Sequence, residues 1–262
     1  GGGNFGVVSM LEYRLHEFGP NILTSTSFYE QKQAKDMFNR FFENSENAPN
    51  DFHIWAGMSI QENGTPMTIM GFTYAGPMDQ ADRMTRPLLG QGKPVSEFTV
   101  PVNYVKQQSR IDAHNAHGRH YYIKGRHVNE YDPVLMDNIL ERWQHDPRRL
   151  NTMRLVTFGG AIAEVDDEAT AWPHRQAKWD LELGASWTGA ENSEEFVEWG
   201  RDYWDSILSH TADSFYVNEI MDETQDEITA NYQSNHNRLM ALKNTYDPKN
   251  LFRMNANIRP KT

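Results

Sequence analysis

The sequence has no cysteine among its 262 residues, which excludes a disulfide framework and a thiolate-ligated metal within the chain. Basic residues are in deficit: 25 Lys and Arg face 36 Asp and Glu, for a net charge of -11. Nucleic acid is bound through clustered cationic side chains, so this balance argues against such a partner; the charge reads as solubility. No apolar run approaches the ~20 residues that span a bilayer, so no membrane partner is expected. Internal repeats and low-complexity segments are lacking, and so is a signal-peptide pattern at the start. The chain begins on Gly1 rather than Met. It is therefore expected to be truncated or processed, and the missing leader carries little weight.

What is present is length enough for one large domain or two small ones, with a core that needs no staples. The apolar periodicity predicts strands over 5–16, 51–60, 66–74, 119–127, 152–165, 178–187 and 214–220. It predicts helices over 27–43, 78–89, 132–145, 193–209 and 224–244. Glu62-Asn63-Gly64 is a hairpin signal between two of the strands. Asp132-Pro133 supplies an acidic cap and a proline at the first helical position. Strands and helices do not alternate regularly. That favours an α+β fold with a large, mostly antiparallel sheet and helices on one side.

Three segments carry chemical interest. The opening Gly1-Gly2-Gly3-Asn4-Phe5-Gly6 allows positive φ and close backbone approach to a ligand, although a glycine-rich stretch alone is more often a turn. Lys178-Trp179-Asp180-Leu181-Glu182-Leu183 alternates cleanly, with Lys178, Asp180 and Glu182 on one face. By pattern alone that face reads as a solvated sheet surface. His114, His117 and His120, with Asp112 and His127 nearby, raise a metal site as a rival, but the intervening polar residues read as an exposed loop.

Two ends and one central block change the weighing. Gly2-Gly3-Asn4-Phe5-Gly6-Val7-Val8 runs on to Arg14-Leu15-His16 and Gly19-Pro20; Tyr246-Asp247-Pro248-Lys249-Asn250-Leu251-Phe252 leads to Asn255-Ala256-Asn257-Ile258. The centre has Gly159-Gly160 with Glu164, then Pro173-His174-Arg175, then the strand ending at Trp187. Together they resemble the FAD-linked oxidases of the berberine bridge enzyme-like family, in the vanillyl-alcohol oxidase superfamily. The resemblance implies the C-terminal part of a flavoenzyme. Residues 1–18 would end the FAD-binding domain, 19–244 form the substrate-binding domain, and 245–262 return to the FAD-binding domain. A missing N-terminal half would carry most of the FAD site and the flavin-linking histidine; a cysteinyl link within this chain is excluded.

The resemblance also implies roles. Gly2, Gly3, Asn4, Phe5, Gly6, Asn218, Asn255 and Asn257 would lie near FAD. Glu182 would be the general base for oxidation of a C–OH or C–H centre of a small-molecule substrate, as hydride leaves for flavin N5. Asp180 would orient substrate or share the proton. Lys178, offsetting their repulsion, and Tyr216 would bind substrate. The family's Tyr-x-Asn strand is matched by Tyr216-Val217-Asn218, but its following aromatic is replaced by Glu219, which weakens the case for a tyrosine base. The chain alone is expected to bind FAD weakly or not at all and to be inactive. A stand-alone ligand-binding module and a His-cluster metal enzyme are the alternatives.

Overall fold

The computed structural model describes residues 2–16, 19–61, 63–115, 117–143 and 145–261, with backbone alone at 113–115. Its strands are β1 (Ile22–Glu30), β2 (Phe52–Ile60), β3 (Pro66–Tyr74), β4 (Ser96–Val102), β5 (His120–Val128), β6 (Arg149–Thr157) and β7 (Trp179–Trp187). Its helices are α1 (Ala34–Ser45), α2 (Ala81–Thr85), α3 (Tyr104–Gln108), α4 (Pro133–Arg142), α5 (Ser193–Asp205), α6 (Gln225–Asn231) and α7 (Asn235–Tyr246). The strands form one sheet in the order β4-β1-β3-β2-β6-β7-β5, and its neighbours pair antiparallel. The α+β architecture expected from the sequence is the one observed.

The period-2 pattern of β7 fixes which face is buried. Trp179, Leu181 and Leu183 join Ile54, Met58, Phe72 and Leu155 in the main core. α1 closes that core with Met37, Phe38, Phe41 and Phe42, and Phe42 meets Trp179 edge-on at 4.9 Å. The Trp179 indole donates to Ser45 Oγ at 2.7 Å, so its polar edge is satisfied in the core. Each fully buried aromatic of this kind contributes about 1.5–3 kcal/mol. α4 packs against α1, and α5 against β5 and β7. The Asp132 cap accepts from Val134 N at 2.8 Å. A smaller core of Phe215, Ile228, Tyr232, Leu239, Ala256 and Ile258 lies beyond the β5 edge of the sheet.

Several boundaries differ from the sequence reading, each for a local reason. Residues 6–16 form no strand; Val7, Val8, Met10, Leu11, Tyr13 and Leu15 are all exposed, Val7 and Leu15 at 87%. The helix expected from residue 27 begins at Ala34, because 22–30 is β1. Its core-facing Ser25 and Ser27 hid the alternation; they are buried because they bond Thr99 Oγ1 and Glu97 Oε2 on β4. The strand expected to reach 165 ends at Thr157, and Gly159 and Gly160, at φ 105° and 53°, turn the chain away. The helix over 224–244 is two helices, broken where Gln233 takes φ 47°. Residues 214–220 are not a strand, although Ser214 and Glu219 carbonyls accept from His127 N and Gly125 N along the free edge of β5. Glu62 of the expected hairpin turn lies outside the described residues.

Candidate active site

The face of β5, β6 and β7 turned away from α1, α4 and α5 carries an ionisable cluster. Cross-strand register places His127 opposite Asp180 and Gly125 opposite Glu182. It also places Arg154 opposite Glu182. Glu219 enters from beyond the β5 edge: a Cβ added to Gly125 would lie 2.6 Å from Glu219 Oε2. The glycine therefore leaves the space that this carboxylate occupies. Arg154 Nη2 donates to Glu182 Oε2 at 2.7 Å and to Glu219 Oε1 at 3.3 Å.

Asp180 is 2% exposed, and its Oδ1, like Glu219 Oε2, has no conventional donor among the described residues. Two carboxyl groups in contact, with both of these oxygens buried, satisfy them by sharing one proton. Burial, then the Glu219 charge and hydrogen bond, push Asp180 up to about 8. Glu219 is raised as well, first by burial, while its bond from Asp180 works in the opposite direction. At neutral pH the pair thus holds one proton and one negative charge. His127 is fully buried. Its Nδ1 bonds Ser214 Oγ at 2.9 Å, and its Nε2 stands 3.9 Å from Asp180 Oδ1. Burial, helped by the neighbouring His174 and Arg126, holds its pKa down to about 3, so the imidazole is neutral. Phe158, Trp172 and His174 pack their rings against it at 5.1–5.7 Å.

The structure brings together Asp180 and Glu182 among the residues singled out from sequence. Lys178 does not join them: its ammonium turns to Glu46 at the end of α1, at 2.6 Å, and Arg154 provides the compensating charge instead. Asn218 is exposed rather than buried, and its amide donates to Tyr216 Oη at 2.6 Å. Asn4, expected near a cofactor, is buried and committed within the chain: Nδ2 donates to Ala256 O and Oδ1 accepts from Ile258 N, both at 2.8 Å. Lys243 Nζ completes this knot, donating to Asn4 O, Asp247 Oδ2 and Phe252 O. Gly2 and Gly3 take φ 55° and 76° beside Val217 and Asn255 respectively. Phe5 packs against the smaller core, whereas space around Gly6 is open. Asn255 is exposed and donates to Gly2 O at 3.3 Å; Asn257 Oδ1 is buried without a partner among the described residues. The His cluster does not converge. His120 and His127, an odd number of residues apart on β5, face opposite sides of the sheet about 23 Å apart along the strand, and the His114 side chain lies outside the described residues.

Sequence reasoning missed Arg154, the site role of His127 and, above all, Glu219, which it met only as a departure from a pattern. The detectable signal was Gly125, a glycine inside a strand, which marks a close approach.

A family model described as "Berberine and berberine like" matches residues 215–259, from the Tyr216–Glu219 segment through the tail. An FAD-linked oxidoreductase of Dictyostelium discoideum is 25% identical over 263 residues, 99% of this chain and 56% of that protein. The (R)-6-hydroxynicotine oxidase of Paenarthrobacter nicotinovorans is 26% identical over 277 residues, 99% of this chain and 58% of its own length. Among solved structures, 6-hydroxy-D-nicotine oxidase from Arthrobacter nicotinovorans superposes with a TM-score of 0.83 at 22% identity, over 98% of this chain and 59% of that one. The chain therefore spans a little over half the length of these relatives. The resemblance to berberine bridge enzyme-like FAD-linked oxidoreductases, read first from its ends, runs through the middle as well. The fold is shared with that solved structure over almost the whole chain.

Proposed function

We propose that this chain is the substrate-domain part of an FAD-dependent oxidoreductase, completed by an FAD-binding half that precedes it. In it, the Asp180–Glu219 pair is the general base. The carrying observation is the pair of buried oxygens, Asp180 Oδ1 and Glu219 Oε2, which have no conventional donor among the described residues. A carboxyl pair with one proton accepts a second as a substrate C–OH or N–H loses its own, a function worth about 10²–10⁴-fold in rate. Glu182, neutralised by Arg154 at 2.7 Å, orients the substrate rather than taking its proton. His127 stays neutral and fills the wall beside Asp180.

The residues near the two ends fit a flavin. Asn257 Oδ1 has no partner among the described residues, and the exposed Asn255 donates its amide to Gly2 O of the positive-φ Gly2–Gly3 turn. FAD, when bound, would supply the hydride acceptor. Asn4 and Lys243 would hold the two terminal segments together beneath it rather than touch it. The apolar side chains exposed over residues 7–15 suit burial against the FAD-binding half, since a soluble monomer rarely leaves so contiguous a patch in water.

The test is a visible absorption spectrum after adding FAD and desalting, for the chain alone and for the chain joined to its FAD-binding half. Retention of flavin only by the joined protein, with bleaching by substrate, is the expected result. Stoichiometric flavin in the isolated chain would contradict the division of labour; a joined protein that holds no flavin would overturn the reading.

A further inference from the structure

The base assigned above needs Glu219 against Asp180, yet Glu219 stands on a turn, not on a strand. Beyond the 3.3 Å contact of its carboxylate with Arg154, two backbone bonds hold it: its carbonyl accepts from Gly125 N at 3.2 Å, and its amide donates to Tyr216 O at 2.9 Å. The stronger fixings lie just downstream and on the opposite face of β5. Lys124 precedes Gly125 and points to the helix side, opposite Leu183 of the core. There its ammonium meets Asp222 Oδ1 at 2.9 Å and Glu223 Oε1 at 3.0 Å. Asp222 also accepts from Arg201 Nε of α5 at 2.6 Å and from Tyr122 Oη at 3.1 Å. Glu223 Oε2 accepts from Met221 N at 2.9 Å. Between residues 219 and 222 the chain therefore passes around the free edge of the sheet.

We infer that Lys124, with Arg201 and Tyr122, is a positioning device: by gripping Asp222 and Glu223 on one face of β5 it holds Glu219 over Gly125 on the other, against Asp180. A lysine at a core-facing strand position is costly unless fully paired, and here it is paired twice. The short span from Glu219 to Asp222 leaves the turn little freedom once the carboxylates are held. Lys124 thus acts through Glu219 and touches neither the pair nor substrate. This inference rests on the Asp180–Glu219 reading.

The experiment follows the protonated-carboxyl infrared band of the chain against pH, with Asp180→Asn identifying the band. The groups facing the pair are Arg154 from β6, Glu182 from β7 and His127 from β5, and none is altered. In Asp222→Asn and Lys124→Met, Glu219 drifts from Asp180, and the band should titrate about one pH unit lower, the size of one close like-charge interaction. Lys124→Arg should restore the wild-type midpoint. Arg201→Gln, at an exposed position, keeps the fold and should shift the midpoint the same way by less. A wild type without the band at neutral pH overturns the carboxyl pair itself. A wild-type band that does not move in folded Asp222→Asn or Arg201→Gln leaves the pair intact and overturns the positioning role.

Discussion

Glu219 Oε2 lies 2.6 Å, and Glu219 Cβ 3.1 Å, from where a Cβ on Gly125 would stand. One carboxylate of the candidate base is thus admitted to the sheet face by the missing side chain of a neighbouring strand. Gly125→Ala should leave the sheet paired but push the Glu219 side chain away from Asp180. The expected outcome is a folded protein, by circular dichroism, whose Asp180 titrates below the wild-type midpoint of about 8. The completed enzyme should lose a large part of its rate.

Arg154 holds both Asp180 and Glu219 down against burial. Arg154→Gln leaves three carboxyls facing one another without a cation. Both protonation steps of the pair then move to higher pH, and the acid limb of the kcat/KM profile moves with them. An unmoved limb in this variant would disconnect Arg154 from the base.

The same shifts predict how stability depends on pH. Asp180 titrates near 8 when folded and near 3.9 when unfolded. The folded state therefore binds the extra proton, and stability falls as pH rises through this window. His127, at about 3 when folded and about 6.5 when unfolded, acts the other way, and its effect fades by about pH 7.5. Between about pH 7.5 and 8.5 the Asp180 effect is free of it. The melting temperature should fall across that interval in the wild type and stay level in Asp180→Asn, as measured by thermal denaturation at closely spaced pH values.

The exposed apolar residues over 7–15, with Leu251 and Met254, predict that the isolated chain binds a hydrophobic dye and self-associates. Replacing Val7, Met10 and Leu15 together with Ser should reduce both without changing the melting temperature, because these side chains contact no core. Light scattering and dye fluorescence read the outcome.

The fold was legible where one face of an element is apolar. β7 alternates Trp179, Leu181 and Leu183 with Asp180 and Glu182, and its register follows directly. β1 was not legible, because Ser25 and Ser27 occupy core positions that only their β4 partners make tolerable. The strand expected over 5–16 has alternation but no partner strand among the described residues, so the pattern alone could not form one. At the site, Asp180 and Glu182 follow from a two-residue period. Glu219 and Arg154 come together only through sheet order, with Glu219 on an irregular turn beyond the β5 edge, and no local pattern marks them. Lys178 was misplaced for a related reason: it sits one residue before the strand begins, where side-chain direction is no longer set by the pleat.

The most direct test of the account is the rate of flavin bleaching by substrate in the completed enzyme, measured under single-turnover conditions for Asp180→Asn and Glu182→Gln beside the wild type. The account predicts a loss of about 10²–10⁴-fold for Asp180→Asn and a much smaller one for Glu182→Gln. A larger loss in Glu182→Gln than in Asp180→Asn would move the base to Glu182 and contradict the assignment to the Asp180–Glu219 pair.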